Sequence, residues 1–188
     1  MHSFVLVLVS DPTAKVFDQV DDLIGRHSDY AEVEPYKEYF EPCSWDGREW
    51  GEEDAEEFMR RREQMYGEKY GRDDKGYYQW RNTNRDGHYD WYSLGGRWDG
   101  VFAGMLPDAS DEVDGIGDKV RGNICRVSEV PAACSAAAIV TPDGTWHEIW
   151  HTCGLLPLQE ASPETLMRVK ELLKPYGQYY AVVVDAHS

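Results

Sequence analysis

Residues Ser3 to Val9 read SFVLVLV, a nearly unbroken apolar run rich in β-branched side chains. A strand with one wet face alternates polar and apolar residues, so a run without alternation belongs to a strand covered on both faces. That demand fixes the kind of fold available, because a central strand needs neighbours on both sides and a layer above and below it. Asp11-Pro12 follows as a helix N-cap with a first-turn proline, and Val16, Phe17, Val20, Leu23 and Ile24 recur at helical spacing until Gly25. The chain therefore opens with a strand and a helix packed on it.

Aliphatic order returns near the C-terminus. Ala136 to Thr141 and Thr145 to His151 flank Pro142-Asp143-Gly144, the pattern of two strands joined by a tight turn. Ser162-Pro163-Glu164 opens a helix whose Leu166, Val169, Leu172 and Leu173 face inward, and Tyr179 to Val184 supplies a last strand. Between these blocks, 28–131 holds five of the seven tryptophans and many charges but few aliphatic residues. It reads as an acidic, aromatic-rich insertion, with a helix from Glu52 to Tyr66 carrying Ala55, Phe58, Met59 and Met65 on one face. At 188 residues the expected architecture is a single α+β domain, 1–188. Its core, 1–27 and 132–188, has a ferredoxin-like split βαβ sheet, with the long insertion placed after the first helix. In that plan the first and third core strands are central and the last lies beside the first. His2, His151, Asp185 and His187 then gather at one sheet edge, with His147 nearer the other.

The formal net charge of -16 argues against direct binding to nucleic acid, which requires clustered lysine and arginine. A basic protein partner is the electrostatically easier one, although acidity also serves solubility alone. No stretch approaches the roughly 18 uninterrupted apolar residues of a membrane helix, and Met1-His2-Ser3-Phe4 has no signal-type basic region. The expectation is a cytoplasmic protein, with no membrane association. Four widely spaced cysteines, Cys43, Cys125, Cys134 and Cys153, lack any Cys-x-x-Cys pair and suggest neither a zinc ribbon nor a disulfide scaffold.

The stretch Tyr89 to Gly100 (YDWYSLGGRWDG) fits neither a helix nor a strand period. Gly95-Gly96 lets the backbone approach a ligand closely, Arg97 offers a planar fork for phosphate or carboxylate, and Trp91 or Trp98 can stack on a ring. The same residues also suit a tight turn in which Arg97 pairs with Asp90 or Asp99. Neither a phosphate loop nor a dinucleotide fingerprint is present. Asp185 and His187, two apart on a strand, share a face, so the carboxylate can orient the imidazole for proton transfer. His147 and His151 stand roughly 13 Å apart on a strand and do not share one ion. His151 with Asp185 and His187 is the one metal grouping the expected fold allows.

Tyr89-Asp90-Trp91-Tyr92 with Gly95-Gly96-Arg97-Trp98, then Thr141 to His147, then Val184-Asp185-Ala186-His187, resembles a group of uncharacterised bacterial and phage proteins. That group carries a WDWY…GGRW motif, a turn ending in Trp-His and a C-terminal Asp-x-His. The resemblance covers about half of the chain and leaves out roughly 28–77. It implies that Arg97, His147, Asp185 and His187 form one recurring set, and its phage association implies an anti-defence role in the host-cell cytoplasm.

Two functions follow as expectations. One is a small enzyme, a hydrolase, or a ligand-binding domain for a nucleotide or phosphoester: Arg97 holds the anion, Trp91 or Trp98 stacks, and His147, Asp185 and His187 transfer protons. The other is an acidic, DNA-mimic type of inhibitor of a basic nucleic-acid-handling protein, with the insertion as its interface. A structural or regulatory partner is a third.

Overall fold

The computed structural model describes residues 2–13, 15–43, 50–109, 112–113, 119–149 and 162–188. Its main elements are β1 (His2–Val9), α1 (Val16–Ile24), β2 (Tyr36–Phe40), α2 (Glu52–Tyr66), β3 (Lys69–Asp73), β4 (Gly76–Arg81), β5 (Trp91–Leu94), β6 (Ile124–Arg126), β7 (Ala138–Val140), β8 (Trp146–Glu148), α3 (Pro163–Leu173) and β9 (Tyr180–His187). They form a mixed α+β protein with two sheets and two compact units, one of 1–31 with 85–188 and one of 32–84. No described helix is long and apolar enough to cross a membrane.

In the first unit the sheet order is β5-β9-β1-β7-β8, with β6 also on β9. The apolar run at the N-terminus is central as its composition requires, with Phe4 to Val9 at most 7% exposed. Val5, Val7 and Val9 pack with Val16, Val20 and Ile24 of α1 on one face. Phe4, Leu6 and Leu8 pack with Val169 and Leu173 of α3 on the other. Each such buried side chain contributes about 1.5–3 kcal/mol relative to exposure. β9 runs antiparallel to β1 from His2↔His187 to Val9↔Tyr180, so the last strand lies beside the first as expected.

The order of the hairpin strands departs from the ferredoxin-like expectation. β7, the second core strand, pairs in parallel with β1, and β8 takes the edge. Burial supplies the reason: Ala138, Ile139 and Val140 are at most 3% exposed, whereas Trp146, His147 and Glu148 are half-buried and partly polar. A strand apolar on both faces takes the interior position and the amphipathic one takes the rim.

The segment read as an insertion divides. Glu32–Asn84 forms the second unit, while 85–131 returns to the main sheet and contributes β5 and β6. Ser28 bridges Tyr89, and Asp29 N–H donates to the Tyr89 carbonyl at 2.7 Å, where the chain leaves and re-enters the first unit. α1 begins at Val16 rather than at Asp11-Pro12, because the Asp11 carboxylate turns back onto Thr13 N–H at 2.8 Å. Glu112 instead accepts from Val16 N–H at 2.9 Å, a cap delivered by a distant loop. α3 starts as its sequence signals, with the Ser162 hydroxyl accepting from Thr165 N–H.

The second unit is an antiparallel sheet of order β2-β4-β3 with α2. Ala55 of α2 is buried, but Met65 is 69% exposed and does not join the expected apolar face. Many of the unit's carboxylates meet arginines of the same unit: Glu57 pairs with Arg60 and Arg61, Glu68 with Arg62, Glu38 with Arg81, and Glu52 with Arg72. Those pairs neutralise part of the acidic surface expected to meet a basic partner.

Candidate functional site

Three neighbouring strands end together at one corner of the main sheet. The register pairs Trp91↔His187 across β5 and β9 and His2↔His187 across β9 and β1, so the three rings form one cross-strand row. Directly opposite residues project from the same face. Trp91 stacks on His187 at 5.1 Å between centroids with 13° between planes. His2 meets His187 edge-on at 5.0 Å and Trp91 edge-on at 5.5 Å. Behind this row lie Ser93, Asp185 and Phe4, again cross-strand partners.

Asp185 is 2% exposed. Its Oδ1 lies 2.8 Å from His2 Nδ1, and its Oδ2 accepts the Arg97 backbone N–H at 3.0 Å. An ionised carboxylate only accepts, so the His2 proton sits on Nδ1 and Nε2 becomes the basic nitrogen. Asp90 does the same for the neighbouring ring, with Oδ1 2.8 Å from His187 Nδ1. Asp90 is itself held by Trp91 N–H donating to Oδ1 at 2.9 Å and by its own N–H donating to the His187 carbonyl at 2.7 Å. The corner therefore carries two imidazoles, each pinned at Nδ1 by a different carboxylate.

The hydrogen bond from His187 holds the Asp90 carboxyl below the usual carboxylate range. A carboxyl with a lowered native pKa stabilises the fold fully above its unfolded value of about 4, and that contribution is lost as pH falls through the native value. In an NMR titration of the Asp90 side-chain carbonyl carbon, His187→Phe should move the midpoint up toward 4. An unchanged midpoint would show that the pair does not exist in solution.

The glycine pair has two jobs, both set by close approach. Gly95 has φ +76° and Gly96 φ +52°, in the left-handed region that glycine occupies cheaply. A Cβ on Gly95 would lie 2.5 Å from the Asn123 amide nitrogen, and one on Gly96 would lie 2.4 Å from Asp185 Cβ. Asn123 is fully buried. Its Nδ2 donates to Asp99 Oδ1 and to the Lys119 carbonyl, each at 2.7 Å, and its Oδ1 accepts from Gly100 N–H at 2.7 Å. The turn is thus clamped by Asn123 on one side and Asp185 on the other, and Arg97 leaves it beside the His2–Asp185 pair.

Neither aspartate considered as a partner for Arg97 takes that role. Asp90 is held by His187 and Asp99 by Asn123, while Arg97 is exposed and its guanidinium has no hydrogen bond or ion pair among the described residues. Trp91 is 43% exposed, with His187 stacked on it. Trp98, expected to bind ligand, instead stacks on Phe4 at 5.5 Å and 20° and packs against the core.

No family model, curated protein or solved structure matches the chain. The chemistry of the corner is therefore read from its own residues.

His147 does not reach this corner. It pairs with Ile139, which pairs with Leu6, which pairs with Val183, so it lies three strands from β9 and level with a residue four short of His187. Strand spacings place it roughly 20 Å from His187. Its Nε2 lies 3.3 Å from the Thr141 hydroxyl, a contact within its own hairpin. The interior position of β7 accounts for the separation. His151 lies outside the described residues, and among the described residues no group of three or more His, Cys, Asp or Glu side chains is placed to hold a metal ion. Asp185 and His187 do share a face, but each bonds to a different partner.

Sequence reasoning placed His2 at this edge without a role and took Asp90 only as a partner for Arg97. It passed over Asn123, whose function is purely tertiary. The signals available were a histidine directly before the apolar run and an aspartate directly before Trp91.

Proposed function

We propose that the protein binds a small phosphoester of nucleotide size at this corner and acts on it by proton transfer through His2 and His187. One observation carries the reading: two imidazoles 5.0 Å apart, each with Nδ1 held 2.8 Å from a carboxylate. A carboxylate at Nδ1 fixes ring orientation and tautomer and stabilises the imidazolium, which is what a general base or acid needs. Arg97 supplies a planar cation for phosphate oxygens, and Trp91 supplies an aromatic face for a base. His147 has no part in this reading, and Asp185 serves as the positioning carboxylate of His2.

Titrating the protein with inorganic phosphate and nucleoside monophosphates should shift the ring-proton resonances of His2 and His187. Arg97→Ala should weaken binding about ten- to a hundredfold, the worth of one charge-assisted hydrogen bond of about 1.5–3 kcal/mol. Failure of both rings to respond to any of these anions at millimolar concentration would remove the proposal.

A further inference from the structure

We infer that the substrate brings its own nucleophile: it is a small ribonucleotide phosphodiester whose 2′-hydroxyl attacks the adjacent phosphorus. This rests on the acid–base reading above and adds the class of substrate and the bond broken. The first ground is what the corner contains. Base and acid sit on neighbouring strands in one row, and Ser3, next to His2 on β1, alternates to the opposite face of the sheet. Ser93 lies in the row behind and is 2% exposed. Cys125 and Cys134 are buried, and burial pushes their thiols up to about 12 and about 11, far from thiolate at neutral pH.

The second ground is charge. A chain of net charge -16 repels a long polyanion, and the corner adds two carboxylates of its own. Arg97 and one imidazolium suffice for a single phosphodiester. A substrate with one bridging phosphate and a base to lie on Trp91 fits these limits, and a polymer does not.

The step balances without a further reactant. His2 Nε2 removes the 2′-hydroxyl proton, the 2′-oxygen forms a bond to phosphorus, and the bond from phosphorus to the 5′-oxygen breaks as His187 in its imidazolium form protonates that oxygen. The products are a 2′,3′-cyclic phosphate and a free 5′-hydroxyl, and the two histidines regain their starting forms by proton exchange with water. Asp185 keeps His2 in the basic tautomer, and Asp90 stabilises the positive charge on His187.

The test incubates the full chain with a mixture of ribodinucleoside monophosphates and, separately, with their 2′-deoxy counterparts, and follows products by phosphorus NMR. Expected are a 2′,3′-cyclic product from the ribose series, no cleavage of the deoxy series, a bell-shaped pH profile, and losses of about 10²–10⁴-fold in kcat/KM for His2→Ala and for His187→Ala. Equal cleavage of the deoxy series, or a phosphohistidine trapped on the protein, overturns the inference and leaves the acid–base reading standing. Shifts of the His2 and His187 resonances without any cleavage overturn it and leave a phosphoester-binding site. Absence of both cleavage and shifts removes the inference together with the proposal beneath it.

Discussion

Gly96→Ala should lower the melting temperature by about 5–15 °C and disturb the His2–Asp185 pair. Two costs add. The left-handed φ of +52° asks about 1–2 kcal/mol of a residue with a Cβ. The new methyl would stand 2.4 Å from Asp185 Cβ and 2.5 Å from its Oδ2, so either the turn or the strand must move, at about 1–3 kcal/mol more. For a chain of this length each kcal/mol shifts the midpoint by about 2–4 °C. Gly104→Ala is the control, because Gly104 has φ +79° but nothing within 4 Å of a Cβ, and it should show the strain alone. Thermal unfolding by circular dichroism compares the two. Equal losses would mean that close approach to Asp185 contributes nothing.

Asp185→Asn should leave the fold nearly intact and reverse the His2 tautomer. The amide keeps the carboxylate's shape in a site that is 2% exposed, and its oxygen still accepts from Arg97 N–H. Its NH₂ then faces His2 Nδ1, which must become the acceptor, so the proton moves to Nε2 and the basic nitrogen is lost. The nitrogen coupling pattern of ¹⁵N-labelled histidine distinguishes the tautomers directly, and the switch should be visible without any substrate. Where turnover is measured, the loss should be on the order of 10³–10⁴-fold, the scale known for such an amide replacement in a carboxylate-oriented histidine. Retention of the Nδ1-protonated form would show that Asp185 does not set the tautomer.

The two predictions mark where the sequence was readable. Strand β1, helix α3 and the hairpin turn carry local signatures, namely an unbroken β-branched run, a Ser-Pro-Glu start and Pro142-Asp143-Gly144. A local signature reports what a few neighbouring residues can do, which is why these elements lie close to where the spacing placed them. The helix start at Asp11 was misread because its carboxylate had a nearer use, on Thr13. The strand order was misread because a split βαβ pattern does not say which hairpin strand lies inside; relative burial of 138–140 and 146–148 does.

The candidate site was legible in its parts and not in its partners. Arg97, Trp91, Asp185 and His187 all stood out as chemistry-bearing, and the glycine pair announced a close approach. Asp185 and His187 looked like one device because they are two residues apart. In the sheet they serve two different histidine–aspartate pairs, one spanning 183 residues of sequence and the other 97. His147 was grouped with them by motif and is kept away by the two strands, β1 and β7, that lie between β8 and β9.

From its sequence alone this protein is an acidic α+β chain with a doubly covered N-terminal strand and a glycine-hinged, aromatic segment near its middle. Apolar periodicity and turn chemistry act over a few residues, and composition is enough to read them. Which histidine meets which carboxylate depends on the register of three strands from opposite ends of the chain, and on the buried contacts that hold a turn against them. Those are relations between distant segments, paid for by the packing of the whole sheet, and only the tertiary structure contains them.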